Sequence, residues 1–146
     1  VKITCIDNWS QNFSTNLDSK KIFKSNIKKF TTENIALQII EEDFRKVNFK
    51  NLKNINIYFY DGCHNYKDHF DAVKLILPSL TKKFILIVDD WNWEQVRKGT
   101  LDSISDEKCQ IVSKLEIKTT TDNSSSLITG ENSDWHQGVA FFVVKK

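Results

Sequence analysis

Apolar residues come in short blocks along this chain, and three strand-sized blocks stop at an aspartate. Val1 to Ile6 ends in Asp7-Asn8, which predicts a strand running into a loop. From Leu17 to Phe30 the residues Phe23, Ile27 and Phe30 recur at helical spacing and predict an amphipathic helix. Ile35 to Ile40 predicts a second strand, closed by Glu41-Glu42-Asp43 and then Phe44. Ile55 to Tyr60 predicts a third, rich in Ile, Tyr and Phe and ended by Asp61-Gly62. Phe70, Val73, Leu77 and Leu80 share one face of a helix expected from about Tyr66 to Leu80, with Pro78 in its last turn. Phe84 to Val88 is a near-continuous apolar run, the pattern of a strand buried on both faces of a parallel sheet, and Asp89-Asp90 ends it. A short helix from Glu94 to about Ile104 and two strands, Gln110 to Lys118 and Gly138 to Val144, complete the series. The polar stretch Thr119 to Gly130 between those strands reads as a loop.

Strands alternating with helices predict one α/β domain over residues 1–146, Rossmann-like, with a mostly parallel sheet. The last two strands have no helix between them, so an antiparallel hairpin is expected at one edge.

Composition serves mainly to exclude. The chain has 146 residues, 40% hydrophobic and 27% charged, an ordinary globular balance with enough length to bury a core. A net charge of +2 gives no ground for a nucleic-acid partner. Lys20, Lys24 and Lys28 form a basic stripe on the first helix, read as a solvated face in preference to a surface for an anionic partner. The apolar runs fall well short of the roughly 20 residues a membrane helix needs. No signal peptide is visible, and no membrane partner is expected. Cys5, Cys63 and Cys109 lack zinc spacing and suit a reduced, cytoplasmic setting. Asn-x-Ser sequons at Asn8, Asn12 and Asn123 are what chance supplies in a chain this rich in Asn and Ser. The chain opens on Val1 inside an apolar run and contains no Met, so a native start upstream is expected.

Candidate chemistry lies where the strands end. In open parallel sheets ligands bind beyond the carboxyl ends of the strands. Asp7, Asp43, Asp61, Asp89 and Asp90 all fall at that address. Each alone could be a loop-starter or helix cap, but a set of clustered carboxylates repels itself unless a cation or a hydroxyl-rich ligand compensates. A single carboxylate past a strand can accept hydrogen bonds from both hydroxyls of a ribose. Asp61, Asp89 and Asp90 end two apolar runs joined by one helix and form the best candidate triad for Mg²⁺. His64, in Asp61-Gly62-Cys63-His64-Asn65-Tyr66, suits either a general base or a cap for the next helix. His69 reads as a packing or surface residue. His136 beside Trp135 suits a pocket wall or a cover for the sheet edge. Trp91 and Trp93 suit either core packing or the cover of a planar ligand.

The block Ile57-Tyr58-Phe59-Tyr60-Asp61-Gly62-Cys63-His64-Asn65-Tyr66, a helix ending in Leu-Pro-x-Leu, and Ile87-Val88-Asp89-Asp90 resemble the second half of class I S-adenosylmethionine-dependent methyltransferases. The likeness is to a bacterial branch with a strand, Asp-Gly-x-His-x-Tyr, a helix, and a strand closing in Asp-Asp. Ile6-Asp7-Asn8-Trp9-Ser10 is similar to that branch's second strand, and Trp135-His136-x-Gly138 with the following strand to its last.

The resemblance implies S-adenosylmethionine as cofactor. It implies that Asp7 holds the ribose, that Asp43 and Phe44 lie near the adenine, and that Asp61 serves both cofactor and catalysis. It further implies that Asp61, Asp89 and Asp90 bind a divalent cation, Mg²⁺ being the natural candidate. His64 is then a candidate base acting on a small hydroxylated acceptor. The family's first strand and glycine-rich turn have no counterpart here, since no Gly precedes Gly62. The 146-residue chain is therefore expected to bind the cofactor weakly, and two inner strand edges are expected to be closed by the flanking strands, a second copy in a homodimer, or a rearranged segment. The rival readings are a non-catalytic Rossmann-like remnant that binds or self-associates, and a Mg²⁺-dependent hydrolase.

Overall fold

The computed structural model describes residues 1–10, 18–128 and 132–146. The helix start expected at Leu17, the sequon at Asn12 and the loop end at Gly130 lie outside the described residues. The chain forms two units, Val1–Val47 and Asn48–Lys146.

In the first unit, β1 (Lys2–Ile6) pairs in parallel with β2 (Ala36–Ile40), from Lys2 opposite Ala36 to Ile6 opposite Ile40. Parallel neighbours need a crossover, and α1 (Ser19–Phe30) supplies it. Asp18 caps this helix by accepting the Lys21 N–H at 2.9 Å, and Phe23 on its apolar side meets the Trp9 ring at 5.0 Å. The lysine stripe has an internal partner: Lys20 and Lys24 stand 2.6 and 3.5 Å from Glu41.

The second unit holds β3 (Ile55–Tyr60), β4 (Leu80–Asp89), β5 (Gln110–Ile117) and β6 (Val139–Lys145) in the order β3-β4-β6-β5. Both helix-linked pairs, β1–β2 and β3–β4, are parallel; β6 runs antiparallel to both β4 and β5. The expected Rossmann-like α/β class with a C-terminal antiparallel hairpin holds. Its last strand lies inside the sheet, beside β4. β1 and β2 form one sheet and β3, β4, β6 and β5 another. Among the described residues, no helix is long and apolar enough to cross a membrane.

Two expectations need correction. The helix expected to reach Leu80 is α2 (Tyr66–Ile76), followed by a 3-10 turn over Leu77–Ser79. Pro78 cannot supply the N–H that the next helical turn needs, and Leu80 already opens β4. The strand thus extends over Lys82 and Lys83, because ladder bonds are made by the backbone whatever the side chain. Nor is β4 buried on both faces. Phe84, Leu86 and Val88 are buried, but Ile85 between them is 39% exposed. Its neighbours across β3, Ile57 and Phe59, are also exposed.

The buried face receives α2, whose His69 meets the edge of Tyr60 at 4.9 Å. α3 (Glu94–Asp106) packs closely on α2 at Gly99, where a methyl group would run into the Tyr66 carbonyl oxygen. Ser103 Oγ donates to the Phe70 carbonyl at 2.8 Å and ties the two helices together.

His69 is thus a packing residue, 2% exposed, with Nδ1 3.5 Å from Thr100 Oγ1. Its Nε2 has no hydrogen-bond partner among the described residues. Burial above all holds its pKa down to about 4, against an ordinary 6.5. The unfolded chain therefore binds the extra proton between about pH 6.5 and 4, and stability present above that window is lost as pH falls through it. His69→Phe keeps the ring contact and removes the proton site. Between pH 7 and 4, denaturant unfolding should show it losing roughly 3 kcal/mol less than the wild type. Equal losses would mean that His69 is not held neutral.

Candidate active site

The two apolar runs that end in aspartates are neighbours. β3 and β4 lie in parallel register, with Tyr60 opposite Val88, so Asp61 and the Asp89-Asp90 pair leave the same end of the sheet. What happens next depends on strand alternation and one unusual backbone angle. Asp89 closes β4 on the face of Ile85 and Ile87, away from buried Val88. Its Oδ1 accepts the Asp90 N–H at 2.9 Å. Asp90 then adopts φ 58°, a left-handed conformation that aspartate tolerates better than most side chains.

That reversal brings Asp90 to His64, with Nε2 2.6 Å from Oδ2. Trp93 covers His64 edge-on at 4.3 Å, and Asn65 next to it caps α2 by accepting the Asp68 N–H at 2.9 Å. One ligand atom from each of Asp61, His64 and Asp90 lies within 4.8 Å of the other two. Donors about 2.1 Å from a shared cation stand up to about 4.2 Å apart, so shifts of a few tenths of an ångström would close the set around one ion. The cluster differs from the expected triad in one member: His64 stands in it and Asp89 does not.

Asp90 is the electrostatic centre of the group. Burial pushes its carboxyl up to about 6, and the nearby charges of Asp89 and Asp61 act in the same direction, while His64 and His136 pull it down. A carboxylate raised in this way binds a proton or a cation readily, and both compete for the same oxygens.

Asn92, which the sequence did not single out, anchors the turn. Asn92 is fully buried; its Oδ1 accepts the Thr119 N–H at 2.8 Å and its Nδ2 donates to Thr119 Oγ1 at 2.7 Å. Thr119 Oγ1 in turn donates to the His136 carbonyl at 2.8 Å, and Gly138, at φ 85°, packs against Asn92 where a side chain would clash. Trp91 is core, with its ring against Phe142 and its Nε1 donating to Glu116 at 3.1 Å. Arg97 Nη1 donates to the Trp91 carbonyl at 2.8 Å. Nothing in spacing or periodicity marks Asn92, because a buried amide looks like any loop asparagine in a sequence. Asn92→Ala should cost about 2 to 4 kcal/mol in chemical denaturation, since it strands buried partners on Thr119. A loss under about 0.5 kcal/mol would show that the turn holds without it.

The remaining expected residues lie in the first unit. Asp7 follows β1 and accepts the Trp9 N–H at 2.7 Å. Asp43 follows β2 and caps a 3-10 turn over Phe44–Lys46 by accepting the Arg45 N–H at 2.9 Å. Arg45 lies over the Phe44 ring, 4.6 Å from its centroid.

The fold is Rossmann-like α/β, with aspartates at the carboxyl ends of β1, β3 and β4. Residues 1–91 match the family model described as methyltransferase domain, and the chain belongs to that family. Among solved structures, a candidate methyltransferase from Thermoplasma acidophilum aligns with 98% of this chain and 56% of its own, at 11% identity and a TM-score of 0.56. SMU.776, a candidate methyltransferase complexed with SAH, aligns at 14% identity and a TM-score of 0.49, over 98% of this chain and 38% of its own. A candidate SAM-dependent methyltransferase from Streptococcus mutans does so at 16% identity and 0.49, over the same shares. At such identities the likeness is one of fold alone, and the chain spans 38% to 56% of these relatives. No curated protein matches the chain.

Proposed function

We propose that this domain serves an S-adenosylmethionine-dependent O-methyltransferase, with Asp61, His64 and Asp90 as the centre that activates the acceptor hydroxyl. The observation that carries the reading is the convergence of those three side chains, within 4.8 Å, at the carboxyl end of two parallel strands. Two carboxylates and an imidazole suit a divalent ion that takes nitrogen beside oxygen donors, such as Mn²⁺, better than Mg²⁺, which prefers oxygen donors alone. When bound, such an ion would lower the pKa of an acceptor hydroxyl. Asp61 and Asp90 supply the negative charge, and Trp93 packs against the His64 ring. In the transfer, the acceptor hydroxyl releases its proton to solvent at the exposed side of the cluster, and its oxygen would form a bond to the methyl carbon. When bound, S-adenosylmethionine would supply that methyl group, its sulfur keeping the electron pair of the broken carbon–sulfur bond as it becomes S-adenosylhomocysteine. Asp7 is the proposed ribose partner, and Asp43 and Phe44 the proposed adenine neighbours, from their places after β1 and β2.

One observation favours a second, ion-free reading. His64 Nε2 and Asp90 Oδ2 already meet at 2.6 Å, the arrangement of a base oriented by a carboxylate. The test is release of S-adenosylhomocysteine by the protein with hydroxylated acceptors, in chelator and in added Mn²⁺, at S-adenosylmethionine concentrations raised until the rate no longer climbs, which offsets weak cofactor binding. Release that needs both acceptor and cation supports the first reading. Full turnover in chelator would favour the second, and no release with any acceptor would count against both.

A further inference from the structure

Glu41 takes up only part of the charge on α1. The helix carries Lys20, Lys21, Lys24, Lys28 and Lys29 and no acidic residue. Lys20 and Lys24 face Glu41, whereas Lys21, Lys28 and Lys29 make no ion pair among the described residues. At 3.6 residues per turn, Lys21 and Lys28 share one stripe of the helix, and Ile22 and Lys29 share the next. All four are exposed. Phe30 ends the helix 64% exposed, with Lys29 Nζ 4.9 Å from its ring centroid, and Ile22 is 44% exposed. The apolar residues of α1 therefore divide. Phe23 and Ile27 are half-buried, on the side where Phe23 meets Trp9, while Ile22 and Phe30 stand in water beside unpaired lysines.

We infer that this face of α1, with its exposed end at Phe30, is a docking surface for an anionic lipid bilayer, which the chain touches without crossing. Peripheral contact needs no spanning helix, and the surface is independent of the methyltransferase chemistry. Charge complementarity fixes the sign of the partner, because three unpaired lysines on a helix without acids are neutralised only by an anionic surface. The exposed apolar pair fixes its kind. Ile22 and Phe30 are eight residues apart, about 12 Å along the helix axis. A bilayer interface accepts both groups at once: the apolar side chains enter the acyl boundary, and the lysines keep their ammonium groups among the headgroups. A nucleic acid would satisfy the lysines and leave Ile22 in water. Each lysine near an anionic leaflet raises the partition about fivefold, so the three together contribute roughly a hundredfold.

The test is co-sedimentation of the full 146-residue chain with two kinds of vesicle, phosphatidylcholine alone and phosphatidylcholine with about a third phosphatidylserine. Binding to the phosphatidylserine vesicles alone is expected, and it should fall as added salt screens the lysines. The triple variant Lys21→Gln, Lys28→Gln, Lys29→Gln should weaken it roughly a hundredfold. The double variant Ile22→Ser, Phe30→Ser should weaken it at least about tenfold while leaving every charge in place, a loss that a purely ionic partner would not give. All five side chains are exposed, so both variants should keep the wild-type circular dichroism and thermal midpoint. Four results would overturn the inference: no binding to anionic vesicles, equal binding to neutral ones, binding that either variant leaves intact, or tighter binding of a single-stranded oligonucleotide through the same three lysines, which would make a nucleic acid the partner.

Discussion

Asp90→Asn is expected to lower methyl transfer by roughly 10²- to 10⁴-fold while leaving the fold intact. Asparagine matches aspartate in shape and tolerates the left-handed φ of 58° at this position, so the backbone has no reason to move. What is lost is the charge facing His64 at 2.6 Å and one of the three groups that meet at the cluster. Asp89→Asn is the control. Its carboxylate stands outside the cluster and accepts the Asp90 N–H, a role an amide oxygen can keep, so a loss below about tenfold is expected. Initial rates of S-adenosylhomocysteine release check both. Equal losses in the two variants would return Asp89 to the centre of the site.

Added Mn²⁺ should raise the thermal midpoint, and it should do so only with the cluster intact. At a concentration about a hundred times its Kd, a ligand that binds only the folded state contributes about 2.7 kcal/mol. For a chain of this size that is a rise of several degrees. Without the ion, Asp90 opposes folding at neutral pH. Its carboxyl is raised from 3.8 to about 6, chiefly by burial, so the folded state holds the proton more tightly than the unfolded one. Stability is therefore lowest above about pH 6 and is regained as pH falls toward 3.8, opposite in sign to His69 over a similar range. Asp90→Asn removes the buried charge. It should melt above the metal-free wild type at pH 7.5 and show no response to Mn²⁺. A variant that melts lower and still responds to the ion would contradict both halves of the argument.

The strand ends were legible because an apolar run that stops at an aspartate marks both the end of a strand and the edge where ligands bind. Ile55–Tyr60 and Asp61 illustrate this, and the run before Asp89 illustrates its limit. Runs such as Phe84 to Val88 do not reveal which face is covered, because isoleucine is equally apolar on either side. The end of α2 was misread because Leu77 and Leu80 continue a helical period that Pro78 interrupts. At the site, Asp61 and Asp90 could be paired from the sequence, since one helix joins their strands. The exchange of Asp89 for His64 could not. It follows from alternation along β4 and a left-handed residue at Asp90, together with a non-periodic loop that brings His64 back to the strand end. Asn92 depends on the meeting of its turn with Thr119, a distant segment, which no local pattern records.

The central claim is that Asp61, His64 and Asp90 together hold one divalent cation, and calorimetric titration of the chain with Mn²⁺ tests it most directly. The expected result is one ion per chain, with affinity lowered at least about tenfold in Asp61→Asn, His64→Ala and Asp90→Asn, and nearly unchanged in Asp89→Asn. An absence of binding, or binding that His64→Ala leaves intact and Asp89→Asn abolishes, would contradict it.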